Sequence, residues 1–195
     1  MAKNTGDIIL RDRMQFVMGA DGNLETLYGR IDLSQYVSPV SRTGISVKEI
    51  KFMLRAPNST VMPKTGSFPI VADAVPGTEP ELACIKIYAT TRAYELAADV
   101  GIASPDVLCV RELQSFIGDQ NNAESALWNT DTWYGPADLH PEGYTVVSDL
   151  LIGIASDNWQ TTTEQVIEVD VLIVAEPIKV TESRLNEILS QGLDL

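Results

Sequence analysis

The stretch Val166-Ile-Glu-Val-Asp-Val-Leu-Ile-Val-Ala175 alternates apolar and acidic side chains before turning apolar throughout. Ile167, Val169, Val171 and Ile173 fall on one side of an extended chain, and Glu164, Glu168 and Asp170 fall on the other. A period of two is the mark of a half-buried strand, which places one at 163–175. At Leu172 and Val174 the second face becomes apolar as well, so this end is expected to be covered on both sides, by a C-terminal helix or by a neighbouring subunit. The helix follows directly. Thr181 can cap it, Glu182 suits its first turn, Leu185, Ile188 and Leu189 share a face, and Gly192 can end it, which places a helix at 181–191.

Further strand-like runs lie at 45–55, 67–72, 82–90, 107–117 and 145–155, punctuated by Pro, Gly, Asn and Asp clusters. Two more flank Ala20-Asp21-Gly22-Asn23, and Asp-Gly between alternating runs predicts a two-residue hairpin. With Ala20 facing Asn23, Phe16 falls opposite Leu27, Met14 opposite Gly29 and Leu10 opposite Leu33, leaving one apolar and one polar face in both strands. A short helix is predicted at 92–100. Eight short strands separated by turn clusters read as an all-β, eight-stranded antiparallel β-sandwich or barrel with a short C-terminal helix, in one domain over 1–195. A chain of 195 residues and 21.3 kDa is long enough to bury roughly 70% of its unfolded surface.

Charge narrows the partners. The net charge of −13 is unevenly spread: residues 1–92 hold 11 basic and 9 acidic side chains, residues 93–195 hold 3 and 18. Direct nucleic-acid binding is not expected of so acidic a chain. No apolar stretch reaches the ~18 residues of a membrane span, and the start lacks a signal-peptide core, so synthesis in a cytoplasm is expected. Cys84 and Cys109 sit in apolar segments without the spacing of a metal or redox site, which makes them buried thiols. Asn58-Ser59-Thr60 fits the glycosylation sequon but reads as an ordinary loop without a secretion signal.

Catalytic signals are sparse. His140 is the single histidine, no Gly-x-Ser-x-Gly or phosphate-binding loop exists, and the chain is not expected to be an enzyme. The chemically suggestive segment is 128–144, which reads as a long loop. It gathers Trp128, Trp133, Tyr134 and Tyr144 with the carboxylates Asp131, Asp138 and Glu142. Aromatic faces stack on sugars or anchor subunit contacts, and hard carboxylates can hold calcium, the one candidate cofactor. The candidate ligand loop or subunit contact therefore comprises Trp128, Asp131, Trp133, Tyr134 and Asp138, joined by Leu185, Ile188 and Leu189 on the helix.

Residues 146–158, the strand 166–175 and the helix after it resemble the closing strands of single jelly-roll viral capsid proteins. Tyr28-Gly-Arg-Ile-Asp-Leu-Ser-Gln-Tyr-Val37 leading into 45–55 extends the resemblance over about half the chain. It implies a virion protein whose copies tile an icosahedral shell, with loops and termini making contacts among themselves and with other virion proteins. Two features depart from that family. The N-terminus lacks a basic arm, so a shell around an internal membrane or a separately condensed genome fits better. The hairpin would also pair two strands that such rolls place in opposite sheets. The alternative reading is a β-sandwich binding module for carbohydrate or calcium, as in a receptor-binding, vertex or decoration protein.

Overall fold

The computed structural model describes residues 6–18, 24–56, 64–65, 81–117, 127–157 and 165–191. The expected strand at 67–72, the Ala20–Asn23 turn and the 58–60 sequon lie outside them. The strands are β1 (Ile8–Met18), β2 (Leu24–Ile31), β3 (Thr43–Ala56), β4 (Lys64–Thr65), β5 (Glu81–Thr90), β6 (Val107–Ile117), β7 (Leu127–Tyr134), β8 (Tyr144–Val146), β9 (Leu150–Asp157) and β10 (Gln165–Lys179). Two helices join them, α1 (Pro136–Leu139) and α2 (Glu182–Gln191).

One sheet runs β1-β10-β3-β4, with β8 also paired to β3, and the other runs β2-β9-β5-β6-β7. Every assigned pairing is antiparallel. Among the described strands the chain crosses between sheets at β1–β2, β2–β3, β4–β5, β7–β8, β8–β9 and β9–β10, which is the winding of a jelly roll. Eight of the ten described strands have eight residues or more. One of those eight is β7, in the segment read from sequence as loop.

The strand that opened the sequence reading lies at the centre of its sheet, between β1 and β3. Its alternation holds, since Ile167, Val169, Val171 and Ile173 are all buried. They meet Ile45, Val47, Ile50, Ile85, Ile87, Leu108, Ile152 and Ile154, all fully buried in the main core. Each such side chain contributes about 1.5–3 kcal/mol relative to exposure. A bulge at Val174/Ala175 leaves Lys48 as the extra residue of β3, and its ammonium reaches Asp7 at 2.6 Å and Glu176 at 3.0 Å.

The predicted hairpin is overturned. β1 pairs with β10 and β2 with β9, so the two strands belong to opposite sheets. The expected partners Met14 and Gly29 still meet, but across the sandwich. A Cβ on Gly29 would lie 2.1 Å from Met14 Sδ. Two apolar faces directed at each other satisfy a hairpin register and a face-to-face packing equally well, and burial between layers prevailed here. The roll therefore does not depart from the jelly-roll arrangement at its first two strands.

Two other expectations change. The run 145–155 divides at the exposed Ser148 and Asp149 into β8 and β9, which lie in different sheets. At 92–100 only Ala97–Asp99 form a 3-10 turn. There the Tyr94 amide donates to Tyr28 Oη at 2.7 Å and the Ala97 amide to Thr26 Oγ1 at 2.9 Å, so side chains of β2 anchor the segment and take the Ala97 donor that a helix would use. Residues 91–106 thereby cover the outer face of the second sheet. Beneath them Tyr88, Val100, Val107 and Val110 form a second core, with Tyr28, Tyr94 and Tyr134 packed against it. Gly153 makes room for the fully buried Tyr88, whose ring lies where a Cβ would stand.

Candidate functional site

Register brings three rows of side chains together on the first sheet. Arg11, Leu172 and Lys51 are cross-strand neighbours, as are Asp12, Val171 and Phe52, and then Arg13, Asp170 and Met53. The middle row sends Val171 and Phe52 into the core, while Arg11, Arg13, Lys51 and Met53 in the flanking rows are exposed. A groove of about 880 Å³ runs over these rows to Arg111 of β6 and to Asp131 and Trp133 of β7.

Arg111 ties the two sheets together at this point. Its Nη1 donates to the Phe52 carbonyl at 2.7 Å, on the stretch of β3 between its pairings with β8 and β4. The rest of the guanidinium grips Asp131, Nε to Oδ1 at 3.2 Å and Nη2 to Oδ2 at 2.9 Å. A second forked pair crosses the groove floor, where Arg13 Nε donates to Asp170 Oδ1 at 2.6 Å and Nη2 to Oδ2 at 3.3 Å. Beside it the buried Glu168 accepts from Gln15 Nε2 at 2.9 Å and lies 3.4 Å from Arg55 Nη1. Charge-assisted forks of this kind fix both partners in orientation.

Trp133 is 49% exposed and forms the aromatic wall of the groove. Its neighbour Tyr134 points to the opposite face, as adjacent strand residues must. There its hydroxyl donates to the Gly101 carbonyl at 2.9 Å, and burial pushes the phenol up to about 12. Trp128 lies in β7 in register with Phe116. Asp138 accepts the Gly135 amide at 2.8 Å, which caps the start of α1. The groove thus gathers Asp131 and Trp133 but not Tyr134 or Asp138, and segment 128–144 is strand, turn and short helix rather than one long loop. Among the described residues no group of three or more His, Cys, Asp or Glu could hold a metal ion.

The helix positions separate as well. Thr181 caps α2 through its side chain, accepting the Arg184 amide at 3.3 Å. Leu185 is buried within its own domain with Val147 and Val180, Ile188 packs half-buried beside it, and Leu189 remains 40% exposed. Both thiols are held protonated. Burial and the nearby Glu112 push Cys84 up to about 11, and full burial pushes Cys109 higher still.

Arg11, Arg13, Lys51, Met53, Arg111, Asp170 and Leu172 were not picked out from sequence. Six of them fall in pairs on β1, β3 and β10, and the pairing of β10 with both neighbours brings those pairs side by side, with Arg111 reaching across from β6. No protein-family model matches the chain, and no curated protein matches it. Among solved structures it is similar to a chain of Desmodium yellow mottle tymovirus, with 11% identity, 93% of this chain and 95% of that chain covered, and a TM-score of 0.32. It is also similar to a chain of turnip yellow mosaic virus, with 8% identity, 91% and 99% covered, and a TM-score of 0.26. At these TM-scores neither likeness bears on what this chain does.

Proposed function

We propose that the chain is a structural virion protein, a capsid subunit that assembles with copies of itself into a closed shell. The observation that carries this reading is the complete roll, two sheets closed on an aliphatic core, together with apolar side chains left outside it. Fold alone assigns no function. The exposed apolar positions add the reason for association. Val40 is 95% exposed and Ile102 74%, on connections between strands, and Ile9, Val17 and Leu189 remain uncovered on β1 and α2. Copies packed through such positions would remove that surface from water.

The charge sets the conditions. Copies at −13 repel one another in dilute salt, and screening shortens the repulsion to about 8 Å at physiological ionic strength. Assembly should therefore strengthen as salt is raised. Sedimentation velocity across a sodium chloride series tests this directly. Large, uniform species growing in with salt support the proposal, and a monomer at every salt and protein concentration overturns it. In the calcium form of the alternative reading, Asp131 would have to leave Arg111 and Asp138 the Gly135 amide to bind the ion.

A further inference from the structure

We propose that the groove beside Trp133 binds an acidic carbohydrate, a pyranose unit bearing a carboxylate. Its volume of about 880 Å³ falls within the roughly 300–1,000 Å³ of small-molecule sites. Three features of its lining select the chemistry, and none depends on whether the chain assembles.

The wall comes first. Trp133 presents a half-exposed indole, with Gly135 beside the ring where a Cβ would lie 3.1 Å from Cζ2. An aromatic face accepts the C–H face of a sugar ring, and Met53 and Leu172 continue the apolar surface. The polar groups are the second feature. The pairs Arg111–Asp131 and Arg13–Asp170 hold donors and acceptors side by side in fixed orientation. Each guanidinium has five N–H groups and each carboxylate about four lone-pair sites, so both pairs keep capacity for a ligand hydroxyl that is at once donor and acceptor.

The charge balance is the third feature. The groove is lined by four cations and three carboxylates in a chain of net charge −13. Two of those carboxylates are already held by Arg13 and Arg111. Among the described residues Arg11 has no ion-pair partner, and Lys51 pairs only with the half-exposed Glu49, at 3.0 Å. Arg11 and Lys51 flank Leu172 in one row, two strand spacings or about 10 Å apart along the sheet. Both are long enough to converge on one carboxylate above Leu172. A neutral sugar would leave those cations unused.

The test is a fluorescence titration of the full chain with trigalacturonate, sialyllactose and a glucuronate-terminated disaccharide, each beside its methyl ester. A glycan array of acidic and neutral oligosaccharides precedes it. The expected result is binding of at least one acidic glycan, weakened about tenfold or more by esterification, a difference of about 1.4 kcal/mol. Trp133→Ala should abolish it with the melting curve unchanged. Arg11→Ala should weaken the acid about tenfold while leaving its ester unaffected. Silence across the array, equal binding of acid and ester, unchanged binding in both variants, or saturation of the groove by an acidic peptide in place of any glycan would each overturn the proposal.

Discussion

Replacing Gly153 with alanine should destabilise the fold far more than a single methyl ordinarily would. The new Cβ would lie 2.3 Å from Tyr88 Cζ, 2.5 Å from Cε2 and 2.7 Å from Oη, against the roughly 3.5–4.0 Å of ordinary carbon contacts. The ring would have to move by more than an ångström. It has nowhere to go, because Tyr88 is fully buried, its hydroxyl is bonded to Tyr28 Oη at 2.7 Å, and the two rings meet edge to face at 5.9 Å. Overpacking costs about 1–3 kcal/mol and loss of the hydroxyl pair about 1 kcal/mol. Against these, alanine recovers about 0.5–1 kcal/mol of the strand entropy that glycine forfeits. The net expectation is a loss of about 1–3.5 kcal/mol, read as a lower urea midpoint at unchanged slope. Gly101→Ala, with nothing within 4 Å of its Cβ, should stay within about 0.5 kcal/mol of the parent. In a Tyr88→Ala background the Gly153→Ala cost should fall below about 1 kcal/mol. A Gly153→Ala protein as stable as the parent, or an equal cost with and without the Tyr88 ring, would refute this account of the second core.

The same tyrosines predict a response to alkali. Tyr88, Tyr94, Tyr134 and Tyr144 are all raised, in each case first by burial. Between the unfolded value near 10 and the folded values, the folded state keeps protons that the unfolded chain releases. Their stabilisation is therefore complete below about pH 10 and lost as pH climbs above it; phenolate absorbance should rise together with loss of the far-UV signal, and ordinary titration of all six tyrosines before unfolding would contradict this. On α2, Leu185→Asp should cost the monomer at least about 2 kcal/mol in urea unfolding, since it places a charge against Val147 and Val180. Leu189→Asp, at a 40% exposed position, should change monomer stability by less than about 0.5 kcal/mol while weakening association measured by light scattering. Equal effects of the two changes on the monomer would count against this division of the helix.

The strands with strict alternation were legible because one face of each meets a core. Ile167, Val169, Val171 and Ile173 declared β10, and Thr181 and Leu185 declared α2, through local patterns that tertiary contacts reinforce. The partnering of β1 was not legible. Leu10, Met14 and Phe16 need an apolar surface opposite them, and β2 provides one equally well from the side or from above. β7 was hidden for a different reason. It is an edge strand, and Asp131 and Trp133 on its groove-side face never alternate in hydropathy with Thr130, Thr132 and Tyr134 on the other. For the groove, the sequence exposed Asp131 and Trp133 through their unusual density of aromatic and acidic neighbours. It hid Arg11, Lys51 and Leu172, which become one row only when β10 lies between β1 and β3.

The reading as a shell-forming subunit stands or falls most directly on the morphology of the purified protein. Negative-stain imaging after transfer from low salt to about 0.15 M, where the Debye length is about 8 Å, should show closed particles of uniform diameter or regular rings. Dispersed single subunits at every salt and protein concentration would contradict it.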